Sequence, residues 1–158
     1  MGKTKIFSRI DDRLIHGQVM TAWLQAYRTS HIIIVDDVVA EDEYLKTLIF
    51  MVAPINVKID ILTVNAAAEY LHSLETDSVL LLAKTPKTFF LLENHGIGLE
   101  EIIVGGISAK QGRKQLYKNI FVTDEELDYL KKMRELEITI KIQIVPDERG
   151  ISLETLLK

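Results

Sequence analysis

Arg9-Ile10-Asp11-Asp12-Arg13-Leu14-Ile15-His16-Gly17-Gln18-Val19 joins a strand pattern to a helix pattern. Before it, Lys5-Ile6-Phe7-Ser8 alternates polar and apolar residues, as a first strand does. After it, between Gln18 and Tyr27, Val19, Trp23 and Leu24 recur at the spacing of a buried helix face, with Ala22 and Ala26 beside them. His16 therefore falls in a loop that follows a strand and opens a helix. The free backbone N–H groups of a helix start, and the positive end of its dipole, favour an anion there. Gly17 lets the backbone approach closely, and Arg13 brings a permanent cation whose planar fork suits phosphate oxygens. An imidazole nucleophile, an arginine and a helix start are the parts needed to receive a phosphoryl group. A lone His-Gly pair is more often a cap or a surface residue, so the reading rests on the longer string.

Composition limits the alternatives. A chain of 158 residues suits one domain with one core, and 47% hydrophobic with 27% charged residues is an ordinary globular composition. The net charge of −4 gives no general attraction to nucleic acid. The absence of cysteine excludes disulfides, thiol catalysis and thiolate metal sites, and fits a reducing compartment. Met1-Gly2-Lys3-Thr4-Lys5 leads straight into the first strand, with no signal peptide expected. No apolar run approaches the roughly 18 residues that span a bilayer, so a membrane role must come through a partner.

Further along, strand and helix signals alternate. His31 to Val35 reads as a strand buried on both faces, with Asp36 and Asp37 at its end. Ala40 to Val52 reads as a helix stopped by Pro54. Val57 to Leu62 is a strand, followed by a helix capped by Thr63 or Asn65 with Ala66, Ala67, Tyr70, Leu71 and Leu74 as its stripe. Val79 to Ala83 is a buried strand, and Thr85-Pro86 starts a helix to about Asn94. Glu101 to Val104 is a strand, from which Gly105-Gly106 opens a polar loop to Gly112. Ile120 to Val122 is a short strand, and Thr123 with Glu126 forms a capping box for a helix to about Glu135. Thr139 to Val145 is the last strand, and Ser152 caps a short C-terminal helix. The alternation predicts an α/β fold, a mostly parallel sheet covered by helices on both faces. Ligands of such sheets bind at the carboxyl ends of the strands, where His16, Asp36, Asp37, Lys84 and the Gly105–Gly112 loop all fall.

The opening string resembles the phosphorylation loop of the IIB subunits in the mannose/fructose/sorbose family of the bacterial phosphoenolpyruvate-dependent sugar phosphotransferase system (PTS), whose signature is R-x-D-D-R-L-I-H-G-Q-V. The resemblance continues through Val35-Asp36-Asp37, Ala53-Pro54, Val104-Gly105-Gly106 and Gln143-Ile144-Val145-Pro146. It implies one domain over residues 1–158, a three-layer α/β/α sandwich whose open sheet of six to seven strands has the order 3-2-4-1-5-6. It also implies a cytoplasmic phosphocarrier, peripherally associated with a membrane transporter. Such a subunit takes a phosphoryl group from a phosphohistidine of the IIA protein or domain onto Nδ1 of His16. It then donates the group to a hexose carried by the IIC and IID membrane subunits. That is a phosphohistidine–sugar phosphotransferase with no metal and no cofactor beyond the transient phosphate on His16. The sugar, whether mannose, fructose, sorbose or an amino sugar, stays open, as does homo-oligomer formation.

Within this reading, His16 is the nucleophile, since an ordinary histidine titrating at about pH 6.5 has a free ring nitrogen at neutral pH. Arg13 clamps the transferring group; its plain alternative is a surface ion pair with Asp11 or Asp12. Arg9 supports the loop or belongs to the site. Asp11 and Asp12 orient the loop or the imidazole; paired acids also suit Mg²⁺, but the family transfers without a metal. Leu14, Ile15, Gly17, Gln18 and Asp36 support the loop. Gly105, Gly106 and Ser108 flank the phosphate with backbone amides, although the family usually has Asn where Ile103 stands here. Lys84 reads as a solvated charge. His31, His72 and His95 read as structural, and Trp23 and Tyr27 as core rather than a sugar-stacking pair. Two rivals are weighed. A histidine phosphatase or mutase carries Arg directly before its His, where this chain has Ile15. A regulatory α/β module would not be phosphorylated at His16.

Overall fold

The computed structural model describes residues 4–158, so the expectation for the first three residues lies outside it. Its elements, in chain order, are β1 (Lys5–Asp11), α1 (Gly17–Tyr27), β2 (His31–Val35), α2 (Asp37–Ala40), α3 (Glu43–Met51), β3 (Lys58–Leu62), α4 (Val64–Ser73), β4 (Ser78–Ala83), α5 (Pro86–Glu93), β5 (Glu101–Gly106), β6 (Lys114–Tyr117), β7 (Ile120–Val122), α6 (Asp124–Glu135), β8 (Thr139–Ile142), β9 (Ile151–Ser152) and α7 (Leu153–Leu156).

Seven strands form one sheet in the order β3-β2-β4-β1-β5-β8-β9. Every pairing in it is parallel except the last, where β9 runs antiparallel to β8. The expected order 3-2-4-1-5-6 is present, with β8 as the sixth strand. Buried strands alternate their side chains between two cores. Ile33 and Val35, with Val79, Leu81 and Ala83, face α4, α5, α6 and α7. Ile32 and Ile34, with Leu80 and Leu82, face α1, α2 and α3 through Met20, Leu24, Val39, Leu45 and Ile49. This is the three-layer α/β/α arrangement.

Several boundaries differ from the sequence reading. The helix expected over Ala40–Val52 is α3, which starts at Glu43 because Asp42 caps it, while Ala40 closes the separate short helix α2 capped by Asp36. Gly105 and Gly106 belong to β5 rather than to a loop. The Ile120–Val122 strand pairs with β6 in a separate hairpin, and the last long strand stops at Ile142. The Thr123–Glu126 capping box and the Thr63 and Ser152 caps are present. No helix among the described residues is long and apolar enough to cross a membrane.

Candidate functional site

β1, β5 and β8 lie side by side and parallel, so the segments leaving their carboxyl ends meet. The central segment is Asp12 to His16. A register shift against β5 between Ile10 and Asp11 re-aims β1 at its end. Leu14 and Ile15 are both buried and anchor the loop in the same core as Met20 and Leu24. Leu14 takes φ 57°, a left-handed conformation unusual for leucine, and its buried side chain helps hold it there. With these two residues pointing inward, the flanking Arg13 and His16 keep 48% and 18% of their side-chain surface.

His16 is the N-cap of α1, yet its side chain caps nothing, and the first turn carries no acidic residue. Among the described residues, no carboxylate accepts from the N–H groups at the start of this 11-residue helix. Gly17 follows at φ 51°, where open space would admit a Cβ but the backbone favours glycine.

The buried Asp11 carboxylate organises the loop. Oδ1 accepts the Arg13 backbone N–H and Nε–H, both at 3.1 Å, and Oδ2 accepts Arg13 Nη2 at 3.1 Å. Oδ2 also lies 3.4 Å from Arg9 Nη2 and 3.4 Å from His16 Nε2. His16 Nε2 is buried without a hydrogen-bond partner, while Nδ1 sits 3.0 Å from the Leu14 carbonyl oxygen. Both ring nitrogens therefore face oxygens that can only accept.

Arg9 is fully buried beneath this cluster. It donates from Nη1 to the Gln143 carbonyl at 3.0 Å and from Nη2 to the Ile144 carbonyl at 3.1 Å. Its guanidinium lies 4.9 Å from the centre of the Trp23 ring, and Trp23 Nε1 donates to the same Ile144 carbonyl at 2.8 Å. Burial lowers the Arg9 pKa, while the Asp11 and Tyr27 charges act to raise it. A Cβ on Gly105 would overlap the Arg9 guanidinium, so glycine there makes room for the arginine.

Asp12 ties in the segment after β5. It accepts the Ser108 N–H at 2.7 Å and the Ser108 hydroxyl at 3.1 Å. Arg113 donates to the Ser108 carbonyl at 2.9 Å and grips both oxygens of Glu126 at 3.0 and 2.9 Å. Asn119 donates to the Gly105 carbonyl at 3.0 Å and, with Asp12, Arg13, Ser108 and Phe121, lines a small cleft beside Gly106.

The structure thus brings together Arg9, Asp11, Asp12, Arg13, His16, Gly105, Gly106 and Ser108. Gln18 lies exposed on the first turn of α1. Asp36 spends its carboxylate on the start of α2, and Asp37 accepts the Val64 N–H at 2.8 Å. His31 lies 2.6 Å from Asp60, and His72 lies 2.9 Å from the His95 carbonyl. Trp23 is core, as read, but it is also the platform for Arg9. Arg113, Asn119 and the Gln143–Ile144 carbonyls went unassigned in the sequence reading. Backbone acceptors leave no residue-type signal, although Arg113 directly follows the Gly105–Gly112 loop and Glu126 is visible as a cap.

Comparison with known proteins gives the family of the chain. The family model described as the PTS system sorbose subfamily IIB component matches residues 5–158. The fructose-specific EIIB component of Bacillus subtilis (strain 168) is 31% identical over 155 residues, covering 97% of this chain and 95% of that protein. The mannose-specific EIIAB component of Escherichia coli (strain K12) is 31% identical over 152 residues, covering 95% of this chain but 47% of that longer protein. The IIB domain of the sorbose permease from Klebsiella pneumoniae superposes with a TM-score of 0.93 at 26% identity, covering 98% of this chain and 96% of that domain. The chain belongs to the sorbose-subfamily IIB components of the sugar phosphotransferase system.

Proposed function

We propose that this chain is a cytoplasmic phosphocarrier, docked peripherally on its transporter, that receives a phosphoryl group on His16 and passes it to a hexose. The observation that carries the reading is the set of α1 N–H groups left unmatched by any carboxylate beside His16 and Arg13. In the first step a bond forms from His16 Nδ1 to phosphorus as the bond from phosphorus to the donor histidine of IIA breaks. In the second step a hexose hydroxyl oxygen attacks phosphorus, the P–N bond breaks with its electron pair returning to Nδ1, and the hydroxyl proton passes to solvent. Nδ1 is the acceptor because Nε2 is enclosed behind Asp11. A neutral ring has one N–H: the Leu14 carbonyl, 3.0 Å from Nδ1, takes it in the resting loop, and transfer needs it on Nε2, beside Asp11. Nδ1 then has a lone pair, which turns from the Leu14 carbonyl toward the incoming phosphorus. Arg13 keeps Nη1 free of Asp11, so it can hold the Asp11 carboxylate while reaching the equatorial oxygens. The donor is a IIA protein or domain, in line with the EIIAB form of one relative; the acceptor sugar is presented by IIC and IID membrane subunits.

Mixing the purified chain with phosphoenolpyruvate, the general phosphotransferase proteins and a cognate IIA tests this. The expected product carries one acid-labile, base-stable phosphoryl group on His16 and delivers it to hexose in membranes containing IIC and IID. Full labelling of His16→Ala would reject the assignment.

A further inference from the structure

Three arginines and three carboxylates form two adjoining rows of charge around the loop. In one, Asp11 stands between Arg9 and Arg13. In the other, Arg113 stands between Asp12 and Glu126, 3.6 Å from Asp12 Oδ2 and 2.9 Å from Glu126 Oε2. The first row carries one positive charge in excess and the second one negative charge. Asp11 and Asp12 are neighbours in sequence, so the rows meet at the root of the loop.

The Arg113 side chain is 6% exposed, against 48% for Arg13. A buried cation needs acceptors for its N–H groups. Arg113 spends Nε and Nη2 on Glu126 and donates from Nη1 to the Ser108 carbonyl. Its effect on Asp12 is of another kind. At 3.6 Å, Nη1 is a counter-charge for Asp12 rather than a hydrogen-bond donor. Among the described residues it is the one ion-pair partner that Asp12 has.

The other cation within reach of Asp12 is the next residue. Asp12 and Arg13 line the same small cleft. Arg13 binds Asp11 through Nε and Nη2, and its exposed half is free of packing that would fix it. An Asp12 without a counter-charge would draw that guanidinium across the cleft. Divided between two carboxylates, Arg13 would lose its single orientation, and Nη1 would no longer be spare for phosphate.

We propose that Arg113 is a positioning residue for phosphoryl transfer: by neutralising Asp12, it leaves Arg13 to Asp11 and to the phosphoryl group. This rests on the function proposed above. Arg113 acts through Asp12 and Arg13, not on the reacting atoms.

Arg113→Gln keeps an N–H donor and removes the charge. It should slow transfer from IIA to His16 by about tenfold, less than outright loss of Arg13, with the KM for the donor unchanged. The NMR signal of the Arg13 Nε–H, which reports the bond to Asp11, should shift with it. Adding Asp12→Asn should restore both rate and signal, because Asn still accepts the Ser108 N–H and offers its own N–H to the Ser108 hydroxyl oxygen. A role confined to holding α6 would not respond to Asp12→Asn. Arg113→Lys keeps the charge without the fork that Glu126 accepts, so it should lower the Tm and keep the wild-type rate. A double variant as slow as Arg113→Gln overturns the proposal. So does a folded Arg113→Lys slowed by about tenfold or more, which decides the matter even where Arg113→Gln does not fold. A wild-type chain that takes no label, while its Arg13 signal still follows Arg113 and Asp12, places the failure in the phosphocarrier reading and not in the hold on Arg13.

Discussion

The Asp11 carboxylate is shared by Arg13 at its rim, Arg9 beneath it and His16 beside it. It presents Arg13 with two parallel N–H···O contacts, so the exposed guanidinium is oriented before any phosphate arrives. Arg13→Ala should keep the fold, because the side chain is half exposed. It should slow phosphoryl transfer by about 10²-fold, on the order of 3 kcal/mol of lost transition-state stabilisation; a rapid-quench rate within about twofold of wild type would remove Arg13 from the mechanism. Gly105 is a test of packing rather than chemistry. A methyl there meets the buried Arg9 guanidinium, so Gly105→Ala should cost about 1–3 kcal/mol by overpacking. Adding Arg9→Ala should make that methyl harmless, which a double-mutant cycle in urea denaturation would read as coupling. None of this arrangement around Arg9 was legible in the sequence, where loop support and site membership were equally open. Its partners are two backbone carbonyls about 135 residues away and the room left by an absent side chain.

Among the elements, those with strong side-chain signals were read closely. The buried strands followed from their continuous apolar runs, and the α6 start from Thr123 and Glu126. The helix expected over Ala40–Val52 starts later, because Asp42, near the beginning of that span, is a better cap than a helix interior residue. β6 went unread because its residues are exposed or half-buried, leaving no apolar period to see. The α6 cap also reaches the site, since Glu126 grips Arg113, which holds Ser108. Burial would push the Glu126 carboxyl up, but the Arg113 guanidinium and the Thr123 N–H hold it below its ordinary 4.5. A carboxyl held low when folded and ordinary when unfolded contributes its stability fully above about pH 4.5. That stability is lost as the pH falls through the folded value. The Tm should therefore decline on acidification below that point, and Glu126→Gln should show a shallower decline. Parallel Tm–pH curves for the two proteins would remove Glu126 from the acid response.

For the molecule as a whole, the doubly wound order gathers the ends of β1, β5 and β8 into one active face. On the proposed function two histidines must come within reach of one phosphorus, so a IIA donor has to cover this face. Transfer must also be quick and reversible, which suits a small interface of about 1,200 Å² or less. Titration with IIA should give salt-sensitive NMR shifts at residues 13 to 27 and near Gly105 to Lys110. Shifts clustered on α7 instead would place the docking surface elsewhere. Arg9 and Trp23 both close on the Ile144 carbonyl, which gives this face a birth order. During synthesis the loop that bears His16 leaves the ribosome well before the segment after β8, and until that segment has emerged Arg9 lacks its two carbonyl acceptors. A nascent chain halted before Gln143 carries the nucleophile without the latch. On the proposed function, competence for transfer waits on a segment about 135 residues beyond Arg9.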